Sequence, residues 1–390
     1  MSDRLDWRNG RGGAPWRGLA LVWLLASACG RAPAEEPAAI RIGLLLDSGT
    51  YAARPTLRAA ELAVAAVGED GGLEAGGRRH RVELVVEDTG NTPEGGARAT
   101  LELINQHQVV ALIGSNTSLN AIPEAEIAGA AGVPIITPSA THPETTAGKR
   151  CSFRVAFTDP QQSRALARVA AEDLGTPPAA ILYDAADAYS RDLAAEFRRA
   201  YEAEGGRLVA EESYTTGDRD FRPQLERIRE SRAGALFLPN FRGDVEPQIR
   251  QARQSGIDAT FLGADAWLVP SLAGIPEAEG SYAVTHWQAD GGADRAEARR
   301  FVERYRAAYG EDPLPPAANA FDAAGLLLRA IRDGGSAEPA SICEQLSLLD
   351  GYRGVTGTLG FRGRDGDPRK PVLIVAIRDG RVVLHRLVES

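Results

Sequence analysis

Nothing in this 390-residue sequence pairs histidine or cysteine at metal-ligand spacing. His80, His107, His142, His286 and His385 are scattered singly, and Cys29, Cys151 and Cys343 lie far apart, so metal chemistry has no support and no cofactor is expected. Lysine is almost missing: Lys149 and Lys370 are the two among 44 basic residues, a preference for arginine rather than a sign of guanidinium chemistry. No basic stripe is interleaved with aromatics, and the formal charge of -9 argues against a nucleic-acid partner. The apolar run at residues 19–25 is too short for a membrane-spanning helix. A G-x-S-x-G elbow, a G-x-G-x-x-G after the first strand and a Walker loop are all absent, which makes an α/β enzyme the weakest of the functional readings.

What is present begins with a leader. Arg4, Arg8, Arg11 and Arg17 precede the apolar core at 19–25, and Ala26-Ser27-Ala28-Cys29 closes it, so residues 1–28 read as an export signal. The small residues before Cys29 resemble a bacterial lipobox, whose cysteine is lipidated; a plain secretory signal is the alternative. Residues 29–39 are rich in Ala, Pro and Glu without an apolar period and read as a flexible tether. Export places Cys151 and Cys343 in an oxidising compartment, either as a disulfide or as two buried thiols.

The remainder is long enough for two domains. Strand patterns at 40–46, 82–86, 109–113 and 133–136 alternate with helical patterns at 56–67, 96–105 and from Ser118 to Gly132, which predicts a parallel sheet covered on both faces. Beyond Lys149 the rhythm restarts. A crossing at 153–157 leads to a helix with Asp159 as N-cap, Pro160 first and a Gln at the capping-box position. Strands at 180–183, 208–211, 235–238 and 260–262 then alternate with helices at 190–204, 221–230 and 245–254. Three helices at 295–309, 317–332 and 339–346 have no strands between them and must pack back on one lobe. A hairpin turns at Asp379-Gly380, between strands at 372–377 and 382–387.

Residues 109–143 organise this pattern. Two hydroxyl-rich loops, Gly114 to Ser118 and Thr137 to Thr141, leave the same edge of one sheet, where open α/β sheets bind ligands. The first also presents the free N–H groups of a helix start, which suits a carboxylate. Plainer readings exist: Thr117 or Ser118 as a cap, Thr141 as a turn former, Tyr189 as a packed surface aromatic, and Asp265 as a solvated loop acid. Their shared position at carboxyl ends of strands favours a site. Asp365-Gly366-Asp367-Pro368 lacks the spaced acids of a calcium loop and reads as a turn.

Several stretches in order, AAELAVAAV, ALIGSNTS, GVPIITPSATHPETT, CSFRVAFTDPQQSRALA, YDAADAYSRDLA, IRQARQSG with FLGAD, and GVTGTLGF followed by GDPRKPVLIVAIRDGRVV, together resemble the substrate-binding proteins of branched-chain amino-acid ABC transporters. The resemblance covers almost the whole chain after the leader. It implies the α/β type I periplasmic binding protein fold: two doubly wound lobes joined by three hinge crossings, with lobe 1 at 40–153 plus 285–356 and lobe 2 at 154–284 plus 357–390. It also implies a ligand held between the lobes by hinge closure. Matched motif by motif, Ser118, Ser139 and Thr141 would hold a ligand carboxylate, while Tyr189 and Phe241 would supply aromatics over the ligand. Asp265 stands where the family has an acid paired with the ligand's ammonium; the resemblance implies Glu in at least one member, so the shorter acid either draws the ammonium nearer or leaves room for water. Tyr51, in a shortened loop after the first strand, Asn116, Asn240 and Trp267 are further candidates. They depart from the family and leave the side-chain pocket unassigned.

The function implied is capture of an amino acid or related small polar ligand for ABC permease subunits, by an exported monomer that meets the membrane only through a lipid anchor. A ligand sensor of the same fold is the alternative.

Overall fold

The computed structural model describes residues 38–289 and 296–389. The expected leader, the lipidation candidate Cys29 and nearly all of the tether lie outside the described residues. The first part of the chain runs β1 (Ile40–Leu46), α1 (Ala53–Glu69), β2 (Leu73–Ala75), β3 (Arg78–His80), β4 (Val82–Asp88), α2 (Pro93–Asn105), β5 (Ala111–Ile113), α3 (Ser118–Ala131), β6 (Ile135–Thr137) and β7 (Ser152–Arg154). The second part runs α4 (Asp159–Arg168), β8 (Ala179–Asp184), α5 (Ala188–Ala203), β9 (Leu208–Tyr214), α6 (Arg222–Ser231), β10 (Ala235–Leu238), α7 (Arg242–Gln254), β11 (Thr260–Gly263) and β12 (Tyr282–Thr285). Three helices follow, α8 (Ala296–Tyr309), α9 (Pro315–Gly334) and α10 (Pro339–Leu348), then β13 (Tyr352–Arg353), β14 (Thr358–Leu359), β15 (Val372–Arg378) and β16 (Arg381–Val388).

The first sheet has the order β4-β1-β5-β6-β7 with every pairing parallel. Its interior strand β1 is apolar on both faces, as a parallel strand under two helical layers must be. Ile42 and Leu44 enter the core shared with α1 and α9, whereas Leu45 enters the core beneath α2 and α3. Gly43 is required between them, because a Cβ there would come within 2.7 Å of the Leu112 side chain and 2.9 Å of Leu103. Helices α8 to α10 return to this sheet. Phe301 and Tyr305 of α8 pack with Ala59 and Leu62 of α1, and Ile342 and Leu346 of α10 join the α9 core. Leu359 and Phe361 are buried in the same core, so we take the third crossing to follow them rather than to begin at 357.

The second sheet has the order β16-β15-β12-β11-β10-β8-β9. Strands β8 to β12 run parallel, while β15 and β16 add an antiparallel hairpin beside β12. The turn residues Asp379 (φ 51°) and Gly380 (φ 66°) are both left-handed, as a two-residue hairpin turn requires. Helix α4, which packs in the second sheet's core, is capped one residue earlier than the sequence pattern suggests. Thr158 is its N-cap and its N–H donates to Gln161 Oε1 at 2.7 Å, because the Asp159 side chain is drawn inward to Gln162. Among the described residues no helix is long and apolar enough to cross a membrane.

Cys151 and Cys343 are joined as a disulfide with a Cα–Cα distance of 5.4 Å, which ties α10 to the start of β7 across 192 residues of chain. Closing so long a loop constrains the unfolded chain strongly. The Cys151→Ser, Cys343→Ser double variant is expected to lose about 2–5 kcal/mol of unfolding free energy. Urea denaturation of the variant beside oxidised and reduced protein checks this; equal midpoints for all three would show the bond to be energetically idle.

Candidate functional site

Each parallel sheet changes direction beside its first strand. β1 lies between β4 and β5, and β8 lies between β9 and β10, so the loops that follow them diverge and leave a crevice at the carboxyl edge. The two crevices share a cavity of about 400 Å³, to which the first sheet contributes Tyr51, Asn116, Ser118, Ser139 and Thr141, and the second Tyr189, Phe241, Arg242 and Asp265. A neighbouring cavity of about 500 Å³ shares Thr117, Ser118, Tyr189 and Phe241 and extends to His142 and Asp192, whose side chains meet at 3.3 Å.

On the first wall Ser118 is the opening residue of α3, behind an extended Thr117. The helix start therefore presents N–H groups without intrahelical acceptors, together with the positive end of the helix dipole. The Ser118 hydroxyl accepts from the His142 N–H at 3.2 Å, which joins the two hydroxyl loops, and Ser139 Oγ accepts from Asn319 Nδ2 at 3.2 Å. The loop itself is shaped from beneath by Asp47, the residue after β1. Its fully buried carboxylate accepts from the N–H groups of Asn116 (2.8 Å) and Thr117 (3.3 Å), from Asn120 Nδ2 (2.7 Å) and from Thr89 Oγ1 (2.9 Å). Glu124 of α3 is buried too and binds Ser115 through its N–H (3.0 Å) and Oγ (2.6 Å). Burial and the charge of Asp47 push the Glu124 carboxyl up to about 8, so Glu124 is mostly protonated at neutral pH.

The second wall is built around Asp265. Its Oδ1 accepts from the Tyr189 hydroxyl (2.7 Å) and Gln162 Nε2 (2.9 Å), and its Oδ2 lies 3.0 Å from His286 Nε2. Burial alone would raise the Asp265 pKa, but the His286 contact and the hydrogen bonds from Tyr189 and Gln162 hold it below the usual carboxylate value. Burial also pulls His286 below its ordinary value, which leaves a neutral ring whose Nε2–H is the donor. Burial and the Asp265 charge keep the Tyr189 hydroxyl protonated. Asp265 is thus an ionised carboxylate held by three neutral donors, and among the described residues no lysine or arginine pairs with it. Tyr189 and Phe241 lie beside it, with ring centroids 5.2 Å apart.

Gln162 links this acid to a second one. Its Nε2 also donates to Asp159 Oδ1 at 2.9 Å, while Asp159 Oδ2 is buried without a hydrogen-bond partner. Burial, reinforced by the Asp265 charge and only partly offset by the polar neighbours Thr141 and Gln162, pushes the Asp159 carboxyl up to about 7. Between about pH 4 and 7 the folded protein therefore binds more protons than the unfolded chain, and stability falls as pH rises through that window. Asp159→Asn is expected to remove this dependence. Relative to the variant, the parent should lose up to about 4 kcal/mol from pH 4 to 7.5, at about 1.4 kcal/mol per pH unit. Paired denaturation curves across the window measure it, and a constant difference between the two proteins would contradict the assignment.

The structure brings Ser118, Ser139, Thr141, Tyr189, Phe241, Asp265, Tyr51 and Asn116 to one cavity. It does not bring Asn240 or Trp267 there. Asn240 is buried behind the cleft, donating to the Leu182 carbonyl (2.8 Å) and Gln248 Oε1 (2.9 Å) and accepting from Ser190 Oγ (2.7 Å), so its polar groups are all spent within the fold. Trp267 is fully buried in the second sheet's core and donates from Nε1 to the Leu238 carbonyl at 2.8 Å. Sequence reading passed over Asp47, Gln162, His286 and Arg242. Asp47 and His286 directly follow β1 and β12, so the same rule of strand carboxyl ends that selected Asp265 applies to them.

A family model described as periplasmic binding protein matches residues 39–381. The amino acid binding protein of Pseudomonas aeruginosa is 27% identical over 285 residues, 71% of this chain and 74% of that protein. Among solved structures, a leucine binding protein from Thermotoga maritima has a TM-score of 0.82 at 28% identity, over 90% of this chain and 99% of that one. A branched-chain amino acid transporter substrate binding protein from Streptococcus pneumoniae, in complex with isoleucine, has a TM-score of 0.81 at 27% identity, over 90% and 100%.

Proposed function

The chain belongs to the periplasmic binding protein family and has its type I fold, and from that premise we propose that it is the exported solute-capturing subunit of an ABC transporter, taking an amino acid or closely related polar ligand. The observation that carries this reading is the ionised Asp265, held by three neutral donors and facing a cavity whose other wall is the start of α3. An anion on one wall and a helix start with hydroxyls on the other suit the ammonium and carboxylate of a zwitterion. Ser118, Ser139 and Thr141 take the carboxylate, Asp265 takes the ammonium, and Tyr189 and Phe241 cover the ligand. Because the two charged ends contact different sheets, binding favours the arrangement in which the sheets approach, which gives a permease partner a conformation to recognise. The relatives named above as amino acid and leucine binding proteins support this ligand class. Export and a lipid anchor at Cys29 complete the proposal.

Titration calorimetry over a panel of amino acids, amides and small carboxylic acids tests the reading. Micromolar or tighter binding by at least one α-amino acid is expected, lost when its amino group is acetylated. Silence across the panel overturns it.

A further inference from the structure

We infer that the ligand is an α-amino acid carrying a second anionic group, a side-chain carboxylate in the simplest case, and that Arg242 reads that group. The inference rests on the amino-acid reading above and adds the side-chain chemistry that reading leaves open.

Arg242 is the first residue of α7, directly after Phe241, and it lines the same cavity as Ser118 and Asp265. Its Nε donates to Ser271 Oγ at 2.5 Å, and Ser271 in turn donates to the Leu268 carbonyl at 2.8 Å, so the guanidinium plane is held from behind. No described carboxylate pairs with it. Asp244, two residues on, is taken by Arg219 and the Tyr214 hydroxyl. Helix stability does not account for the residue, because a cation in the first turn opposes the helix dipole. A half-buried guanidinium anchored through Nε and facing a cavity with two unassigned nitrogens is suited to a bidentate carboxylate. On the first wall, Asn91 lines the cavity as well, and its Oδ1 already accepts from Asn120 Nδ2 (3.3 Å) and Thr117 Oγ1 (3.4 Å), which leaves its amide N–H groups as further donors. The α-carboxylate and ammonium are met by the start of α3 and by Asp265. A neutral aliphatic side chain would then strip water from Arg242 and return no hydrogen bond, whereas a carboxylate replaces that water with charge-assisted ones.

Calorimetry with L-glutamate, L-aspartate, L-glutamine, L-leucine and glutarate, on the parent protein and on Arg242→Gln, tests this. The expected result is that L-glutamate or L-aspartate binds tightest, and that Arg242→Gln weakens it by about 10- to 100-fold, the range for a charge-assisted hydrogen bond. L-glutamine and L-leucine should change less than about threefold, which also shows the variant to be folded. Leucine binding as tightly as the acidic amino acids, or an equal loss for every ligand in the variant, overturns the inference while leaving the amino-acid reading intact. Glutarate binding as tightly as glutamate, with the same loss in Arg242→Gln, upholds Arg242 as the anion reader but removes the amino-acid reading. No binding by any of the five overturns the inference, and silence across the wider panel above overturns the amino-acid reading with it.

Discussion

Asp265→Ala is expected to weaken an amino-acid ligand by about 2–5 kcal/mol, the range for removing one side of a buried charge pair. Two losses combine in that figure: the ammonium loses its anion, and Gln162, Tyr189 and His286 lose the acceptor they share. Asp265→Asn separates them. The asparagine amide fills the same volume, its Oδ1 still accepts from Tyr189 and Gln162, and its Nδ2 can donate to His286 once the neutral ring adopts its other tautomer. The Asn variant is therefore expected to stay within about 1 kcal/mol of the parent in unfolding free energy, as a shape-conserving change with its hydrogen bonds kept. It should nevertheless lose most of the affinity that the Ala variant loses. Calorimetry on both variants, with thermal unfolding as the control, makes the comparison. Parent-like affinity in Asp265→Asn would mean that the ammonium sits elsewhere.

The strands were legible where an apolar run ends in turn residues. The patterns at 40–46 and 235–238 coincide with β1 and β10. The small hairpin β2–β3 was not, because LEA and RRH hold no apolar run and only the Gly76-Gly77 pair marks their turn. In the site, Ser118, Thr141, Tyr189 and Asp265 could be found because each lies just beyond a strand, and the fold gathers strand ends. Orientation over one or two residues is a different matter. Asn240 precedes Phe241 by one position and turns the other way, and the short helical turn Asp265–Trp267 carries the indole under β11 while the carboxylate stays at the cavity. His286 looked like an isolated histidine because its partner is 21 residues away. That contact exists since β11 and β12 are neighbours in the sheet, a fact of topology that spacing does not reveal.

Arg154→Ala is expected to destabilise the protein by about 3–5 kcal/mol, the range for breaking a buried ion pair. The guanidinium is fully buried at the end of β7 and donates to Asp367 Oδ1 (2.6 Å), Thr146 Oγ1 (2.6 Å), the Ala140 carbonyl (3.0 Å) and the Pro143 carbonyl (3.2 Å). Three of these acceptors belong to the β6–β7 connection that carries Thr141, and the fourth belongs to the 365–368 turn. That turn is stitched to the same strand by the Arg154 N–H to the Gly366 carbonyl at 3.0 Å. One side chain thus ties the ligand loop to two of the chain segments that pass between the sheets. Removing it leaves buried carbonyls without donors and a void of side-chain size, so the loss should fall on ligand affinity as well as on stability. Arg154→Lys distinguishes charge from geometry: an ammonium can reach Asp367 but cannot serve four acceptors in one plane, and an intermediate loss is expected. Urea denaturation together with ligand titration of both variants measures the two effects. If Arg154→Ala remained within about 1 kcal/mol of the parent, well below the range for a broken buried pair, the guanidinium would not be what holds these segments together. If stability fell while affinity held, the Thr141 loop would be fixed by its remaining contacts, chiefly Ser118 to the His142 N–H and Ser139 to Asn319.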